Sequence, residues 1–486
     1  MAKNISNTNE GMANYKSYQK SHVSHWDYIV KNEHQWGRCS GYYHKRLQDV
    51  LRFVVPPGQR VIELGCGQGD LLASLQPSYG VGVDFSSQMM EQARNSHPDL
   101  HFIQADAHEI DVKEHFDFII LSDLVNDLWD VQAVLQKIRP LTASGSRIII
   151  TTYSRLWELP FRIIRKFGLA KPLLPQNWLT VEDVSGLLSL ADFEVIRHWE
   201  EIVWPLRTPL VDSLFNRFVV KIWPFRWFAL TNIIIARPCP AVAAAAPAPI
   251  VSVVIPARNE AGNIQKIFDE VPEMGAATEL IFVEGGSSDN TYEVIAKAMA
   301  DNPHRLSKLL RQTGQGKGDA VRLGFQHATG DILMILDADL TVPPEDLPRF
   351  YDVLASGKAE FVNGVRLVYP MEKEAMRFFN LLGNKFFSLA FSWLLGQPIK
   401  DTLCGTKVLW KKDYERIAAN RAYFGDFDPF GDFDLLFGAA KLNLKISEVP
   451  IRYRERTYGT TNISRWKHGW LLLRMVCFAA LRIKFI

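Results

Sequence analysis

Cysteine is scarce. The 486 residues hold five, at Cys39, Cys66, Cys239, Cys404 and Cys477, with no CxxC pair among them. So scattered a set makes no disulfide framework. Long apolar runs are missing too: no uncharged stretch reaches the ~20 residues of a spanning helix. The opening MAKNISNTNEGMANYKSYQK has no apolar core of the kind a secretory signal needs, so a cytoplasmic protein is expected. Nor does one sign of charge prevail. Lys and Arg number 55 and Asp and Glu 53, a formal net charge of +2. Nothing in that balance draws a polyanion, and nucleic acid is not an expected partner. The two halves share no internal similarity, which excludes a duplication.

What is present is ordinary core material, 47% hydrophobic and 22% charged. At roughly 150 residues per domain, the length implies two or three domains. One segment breaks the composition: residues 238–249 read PCPAVAAAAPAP, without charge or aromatic rings and with four prolines. Such a stretch suits an extended spacer, and structureless loops of that length are uncommon inside a domain. Before it, apolar runs at 60–64, 80–84, 116–121 and 146–152 alternate with amphipathic segments. After it the pattern restarts at 250–256, 278–285 and 330–339. Strands alternating with helices predict two α/β domains, each built on a parallel sheet covered on both faces. The expected boundaries are 1–237, a linker at 238–249, 250–460, and a terminal helix at 461–486.

In the first half, ELGCGQGD (Glu63 to Asp70) follows an apolar strand directly. Gly65, Gly67 and Gly69 permit a tight strand-to-helix turn and close approach of a ligand to the backbone. The second strand ends in Asp84, where a carboxylate can accept hydrogen bonds from ribose hydroxyls. Asp106 ends the third. Together these residues resemble the class I S-adenosylmethionine (SAM)-dependent methyltransferases, a Rossmann-like fold, over roughly residues 40–237. The resemblance implies that Glu63, Gly65, Gly67 and Gly69 hold the methionine portion, Asp84 the ribose and Asp106 the adenine. Asp123, Asn126 and Asp127 after the fourth strand either meet substrate or cap the next helix. The segment with His22, His25 and His34 is either a substrate lid or a packed amphipathic helix, and it lacks partners at metal-ligand spacing. The methyl acceptor is not legible.

The second half carries four motifs in order: VSVVIPARNEAGNI, VEGGSSDNT, GQGKGDAVRLGF and ILDADLTVPPE. Lys317 sits in a glycine-rich loop at a helix start, where a cation and free N–H groups suit phosphate. Asp337 and Asp339 end an apolar run at i, i+2 spacing, so on a strand they would face the same way. Two carboxylates held together call for a cation, and oxygen ligands suit magnesium or manganese on a diphosphate. The set resembles family-two glycosyltransferases of the GT-A fold, in particular the dolichyl-phosphate mannose synthase-like and polyprenyl-phosphate sugar synthases, over about residues 250–460.

That resemblance implies a UDP- or GDP-linked sugar donor bound by Pro256, Ala257, Arg258, Glu260, Glu284 and Asp289. It gives Asp337 and Asp339 to ribose and metal, Arg366 to phosphate, and Asp401 and Lys407 to a segment closing the active site. The chain departs from the family at Glu284–Gly285, where a pair of aspartates is usual, and at Thr341, where a glutamine helps hold the metal. Transfer to a hydroxyl needs a general base, whereas a phosphate acceptor is already ionised. In the acidic run 425–436, Asp432 is the candidate acid on the acceptor side and Asp434 the next; the alternative is an acidic loop and helix cap.

The tail is basic, with eight Lys and Arg against Glu455 from Arg452 onward. Its final helix carries Lys467, Arg474 and Arg482 on one face, which suits lying in an anionic membrane interface. The alternative is packing against the apolar segment 378–396. Arg454, Arg456 and Tyr458 are candidate contacts to acceptor or donor phosphates. The expected protein is a bifunctional enzyme, peripheral on the inner face of the membrane. It would use SAM and Mg2+ or Mn2+, and transfer a sugar with inversion to polyprenyl phosphate. A soluble acceptor, or a non-catalytic SAM-sensing first domain, are the competing readings.

Overall fold

The computed structural model describes residues 9–32, 37–166, 172, 174–240, 247–366, 378–423, 432–454, 456, 458 and 465–486. The chain divides into two units, Met1–Cys239 with Phe485–Ile486, and Pro240–Lys484.

In the first unit the apolar runs become strands β1 (Arg60–Leu64), β2 (Tyr79–Asp84), β3 (His101–Gln104), β4 (Phe116–Ser122) and β5 (Thr142–Tyr153), followed by β6 (Phe193–Glu201) and β7 (Thr231–Pro238). They form one sheet in the order β3-β2-β1-β4-β5-β7-β6. Side chains alternate between its faces. Ile62, Ile119, Ile148 and Ile234 enter one core, and Val61, Ile120, Ile149 and Ile233 the other. This period-two division puts apolar residues on both surfaces of a doubly covered sheet, as expected.

The second unit contains β8 (Ile250–Ala257), β9 (Ala277–Glu284), β10 (Leu306–Arg311), β11 (Ile332–Ile335), β12 (Phe361–Val365), β13 (Lys407–Trp410) and β14 (Ile446–Pro450). Their order is β10-β9-β8-β11-β13-β12-β14. Val251, Val253, Leu280, Phe282, Ile332 and Met334 share one core. The helix Lys317–His327 packs against β8 and β9.

Two expectations need correction. The sheets are mixed, not parallel: β7 runs antiparallel to both β5 and β6, and β13 to both β11 and β12. An antiparallel return needs no crossover helix, so the strand–helix alternation that signals a parallel pair does not register it. The third apolar run of the second unit also ends early, at Ile335. Asp337 and Asp339 therefore lie in the following turn, closed by the Leu340 N–H on the Asp337 carbonyl (3.2 Å), and the two-residue period of a strand does not govern them.

Both sheets begin with the same winding, and its order reverses beside β1 in one unit and β8 in the other. Ligand crevices form outside the carboxyl ends of strands at such reversals. The helices Phe378–Leu395 and Arg465–Ala479 pack on each other, with Leu394, Leu395, Leu472 and Met475 buried. The opposite side of the last helix leaves Trp470, Leu473 and Arg474 exposed. Among the described residues no helix is long and apolar enough to cross a membrane.

Candidate functional sites

In the first unit, every predicted cofactor residue lies at the carboxyl edge of β1, β2 or β3. The glycine loop turns there because Gly65, Gly67 and Gly69 all take positive φ (69°, 52° and 80°), which side chains with a Cβ rarely adopt. The Gly65 and Cys66 N–H groups both donate to the Val83 carbonyl, stitching the loop onto β2. Gly67 N–H donates to Asp84 Oδ2 (3.0 Å) and Ser86 N–H to Asp84 Oδ1 (2.9 Å). Burial nonetheless raises the Asp84 carboxyl. Glu63 is 2% exposed, and its Oε2 has no hydrogen-bond partner. Burial pushes its carboxyl well above the usual range, and Asp84 and Asp70 add to that.

Asp106 is differently placed. His108 donates its backbone N–H (2.9 Å) and approaches through Nδ1 (2.6 Å), while Gln19 Nε2 donates to Oδ2 (2.9 Å). Burial opposes ionisation, but the His108 and Gln19 hydrogen bonds outweigh it and bring the carboxyl down to about 2. Gln19 belongs to the helix Asn9–Lys31, which also accepts Ser86 Oγ at Asp27 (2.6 Å). Trp26 and Val30 of that helix pack with Met89 and Met90. His22 lies buried on this helix, its Nδ1 3.0 Å from the Tyr18 carbonyl, and His34 lies outside the described residues.

At the end of β4, Asp123 stands at the N-cap position of the 3-10 turn Leu124–Asn126 without a side-chain cap bond, and the longer helix that follows is capped by Asp130 through Ala133 N–H (2.9 Å). Asp123 instead accepts from Tyr43 Oη (2.8 Å) and Thr151 Oγ1 (2.7 Å). Asn126 is fully buried between Asn177 and β5, and Asp127 accepts from Gln176. Tyr43, Thr151, Gln19 and His108 were not identified from the sequence. Their partners lie 2 to 87 positions away, and only the fold joins the distant ones.

In the second unit the turns after β8, β9 and β11 and the start of the helix Lys317–His327 carry the candidates. Pro256 and Ala257 end β8, and Arg258 is exposed beyond them. Glu260 is buried, hydrogen-bonded by Asn263 (2.8 Å) and 3.6 Å from Arg456; burial keeps its carboxyl above the usual range. Glu284, at the first departure from the family, accepts the Ser287 N–H (2.5 Å) and so shapes the turn after β9. Asp289 caps Thr291 (3.1 Å), and Tyr458 Oη lies 3.5 Å away.

Lys317 meets Asp337 at 2.6 Å. Burial raises the Asp337 carboxyl, but Lys317 beside it outweighs that and holds it low. Gly405 passes so close that a Cβ there would lie 2.0 Å from Asp337 Oδ2 and 2.4 Å from Lys317 Nζ. Asp339 accepts from Thr341 through both its N–H (3.1 Å) and Oγ1 (2.8 Å), and pairs with Arg456 (2.5 Å). Thr341, the second departure from the family, thus orients this acid. Each carboxylate faces its own cation, and among the described residues no group of three His, Cys, Asp or Glu could hold a metal.

Arg366 and Asp401 face each other. Arg366 donates through Nε (2.7 Å) and Nη2 (2.8 Å) in a bidentate pair, and its backbone N–H adds a third bond (3.1 Å). Asp401 is therefore a partner for Arg366, and its carboxylate, also bonded by Leu403 N–H (3.0 Å), is fully engaged. Lys407 is buried on β13, donating to the Cys404 carbonyl (2.5 Å). Asp434 is paired with Arg421 (2.7 Å). Asp432 begins the helix Asp432–Lys441, its side chain outside the described residues, as is 424–431 of the acidic run.

Each of the two α/β units thus sets acidic and glycine-rich turns at the carboxyl edge of its sheet. Residues 56–190 match the family model described as Methyltransferase domain, and residues 252–417 the one described as Glycosyl transferase family 2. The chain thus joins a methyltransferase domain to a family 2 glycosyltransferase domain. Among curated proteins it is similar to Glycosyltransferase AglJ of Haloferax volcanii, 28% identical over 224 residues, covering 46% of this chain and 69% of that protein. It is also similar to the Undecaprenyl-phosphate 4-deoxy-4-formamido-L-arabinose transferase of Pectobacterium carotovorum, 36% identical over 219 residues. That match covers 44% of this chain and 62% of the relative, just under two thirds of its length. Among solved structures the chain aligns with glucosyl-3-phosphoglycerate synthase from Mycobacterium tuberculosis in complex with Mn2+ and UDP. The identity is 19%, the coverage 48% of this chain and 80% of that one, and the TM-score 0.36.

Proposed function

We propose that the first unit transfers a methyl group from SAM and that the second transfers a sugar from a nucleotide sugar to polyprenyl phosphate. The observation that carries this reading is the placement of both motif series along the carboxyl edges of their sheets, beside the reversals in strand order.

The first crevice fits SAM by charge. SAM carries an ammonium and a sulfonium, and Glu63 offers a buried carboxylate oxygen without a partner. A cation is what would favour its ionised form. The glycine loop would lie along the methionine portion, Asp84 would receive the ribose and Asp106 the adenine. When bound, SAM supplies an electrophilic methyl group. That carbon would be open to displacement from sulfur by an acceptor lone pair, with S-adenosylhomocysteine as the product released. The chain's task is to position and desolvate the two reactants.

In the second crevice, hard oxygen donors on Asp337 and Asp339 fit Mg2+ or Mn2+, with the donor diphosphate completing the shell. The ion would draw charge from the leaving diphosphate. Lys317 and Arg456, already beside these acids, stand where a diphosphate would need cations. Pro256, Ala257, Arg258, Glu260, Glu284 and Asp289 would hold the nucleoside, and Arg366, set by Asp401, would reach phosphate. An acceptor oxygen attacks the anomeric carbon from the face opposite the diphosphate, inverting it. A phosphate acceptor needs no base, which leaves Asp432 to orient it. The undecaprenyl-phosphate relative supports a lipid acceptor. The exposed face of the last helix, with Trp470 and Arg474, would meet the bilayer holding it.

The test is transfer from radiolabelled UDP- and GDP-sugars to short-chain polyprenyl phosphate with Mn2+ or Mg2+, run beside Asp339→Ala. Organic-extractable label that disappears in the variant is the expected result. Nucleotide release without lipid labelling would overturn the lipid acceptor in favour of a soluble one.

A further inference from the structure

The first unit has an apolar surface that its catalytic reading does not use. After β5 the chain makes a short turn and the helix Glu158–Lys166. Leu156, Leu159 and Ile163, at i, i+3 and i+7, project from one side of this segment at 63%, 63% and 58% exposure. The segment Trp223–Phe228 lies against it, tied by Trp157 Nε1 donating to the Phe228 carbonyl (3.0 Å). There Trp223, Trp227 and Phe228 are 66%, 54% and 61% exposed, the two indoles crossing edge-on with centroids 6.0 Å apart. Isolated exposed leucines are ordinary, but a contiguous apolar patch of this kind on a water-soluble surface marks an interaction site.

Charge identifies the occupant. The helical side carries Arg155, Arg162, Arg165 and Lys166 against two acids, Glu158, paired with Arg162 (2.8 Å), and Asp183, which Arg155 faces. The other side adds Arg207, Arg217 and Arg226 against Asp212, which accepts the Thr208 N–H (3.2 Å). Arg226 stands between Phe225 and Trp227, all three exposed. A protein interface would have to desolvate those guanidiniums at its apolar centre, which is costly without buried partners. A lipid headgroup layer would not. It takes tryptophan rings at the level of the acyl boundary while arginines stay hydrated beside phosphate. We infer that the first unit docks on an anionic membrane surface through Leu156–Ile163 and Trp223–Phe228.

This docking is separate from the proposed lipid acceptor and from the exposed face of the last helix, and its test keeps all three apart. Full-length protein is sedimented with phosphatidylcholine vesicles, with and without one-third phosphatidylglycerol, in the absence of any polyprenyl phosphate. The variants are Trp223→Ser/Trp227→Ser, Arg162→Glu/Arg226→Glu, and, for the last helix, Trp470→Ser/Arg474→Glu. The first two substitute exposed side chains, and unchanged SAM affinity would show that the fold is intact. Binding should require the anionic lipid and weaken with salt. The tryptophan pair should lower partitioning about tenfold, equivalent to ~1.4 kcal/mol, with the arginine pair removing the preference for phosphatidylglycerol. Binding that ignores both pairs and vanishes only with the Trp470/Arg474 variant would overturn the inference. So would a surface needed only for self-association, seen by light scattering without vesicles.

Discussion

Asp401→Asn tests the buried pair most directly. It replaces a carboxylate that is 2% exposed and accepts two side-chain bonds from Arg366, taking from that guanidinium its hydrogen-bonded counter-charge. Removing one partner of such a pair costs ~3–5 kcal/mol. For a unit of this size each kcal/mol moves the melting temperature by ~2–4 °C, so a drop of about 6–20 °C is expected. Scanning calorimetry of the full chain reads it, with SAM added to mark the first unit's transition by its upward shift. Adding Arg366→Met to Asp401→Asn removes the orphaned charge while the asparagine oxygen can still accept from Leu403 N–H. The double variant should recover about half the loss or more, yet sugar transfer should stay absent, because nothing replaces the guanidinium toward phosphate. A double variant no more stable than the single would refute the argument. The sign with pH follows: burial raises the Asp401 carboxyl, but Arg366 outweighs it and holds it low. Its contribution is complete above the ordinary aspartate value of ~3.9 and is lost as pH falls toward the folded value. Acid unfolding of Asp401→Asn should lack that step.

Three further outcomes are expected. Glu63 has a raised carboxyl in the unliganded chain, so SAM affinity measured by calorimetry should increase as pH rises through that value, and Glu63→Gln should flatten the profile. Asp106→Asn should weaken SAM binding about tenfold; since Asp106 is held at about 2, this group adds no pH dependence near neutrality. Gly405→Ala would press a methyl group into the Lys317–Asp337 pair and should weaken nucleotide-sugar binding about tenfold in equilibrium titration, leaving SAM binding intact.

The glycine loop was legible because its requirement is local: three positive φ angles between a strand and a helix can be read from three glycines. The acids at strand ends were legible for a similar reason, since apolar runs mark where strands stop. Where a run continued past its strand, the reading failed. Ile332–Ile335 pairs with its neighbours, but Leu336 and Ala338 are buried without belonging to the strand, so apolarity extended the expected strand to Asp339. The pairing of Arg366 with Asp401, 35 positions apart, and of Tyr43 with Asp123, 80 apart, left no trace in spacing. Both residues of the first pair were singled out separately, each for a different role. The antiparallel strands β7 and β13 escaped because nothing in TNIIIARP or KVLW reports the direction in which the strand runs.

The place of β7 bears on how the protein is made. This strand lies between β5 and β6, yet it is the last of the first unit's strands to leave the ribosome. Until residue 238 has emerged, β5 presents Ile148–Tyr153 as an unpaired edge, the stretch that later pairs with Thr231–Ala236. An open apolar edge of this kind recruits other chains. A fragment cut at residue 190, where the family match ends, or at 230, should therefore aggregate during expression, whereas one carried through Cys239 closes its own sheet. The Pro- and Ala-rich stretch that follows gives the nascent chain uncharged, pairing-poor length in which to finish that insertion before β8 emerges.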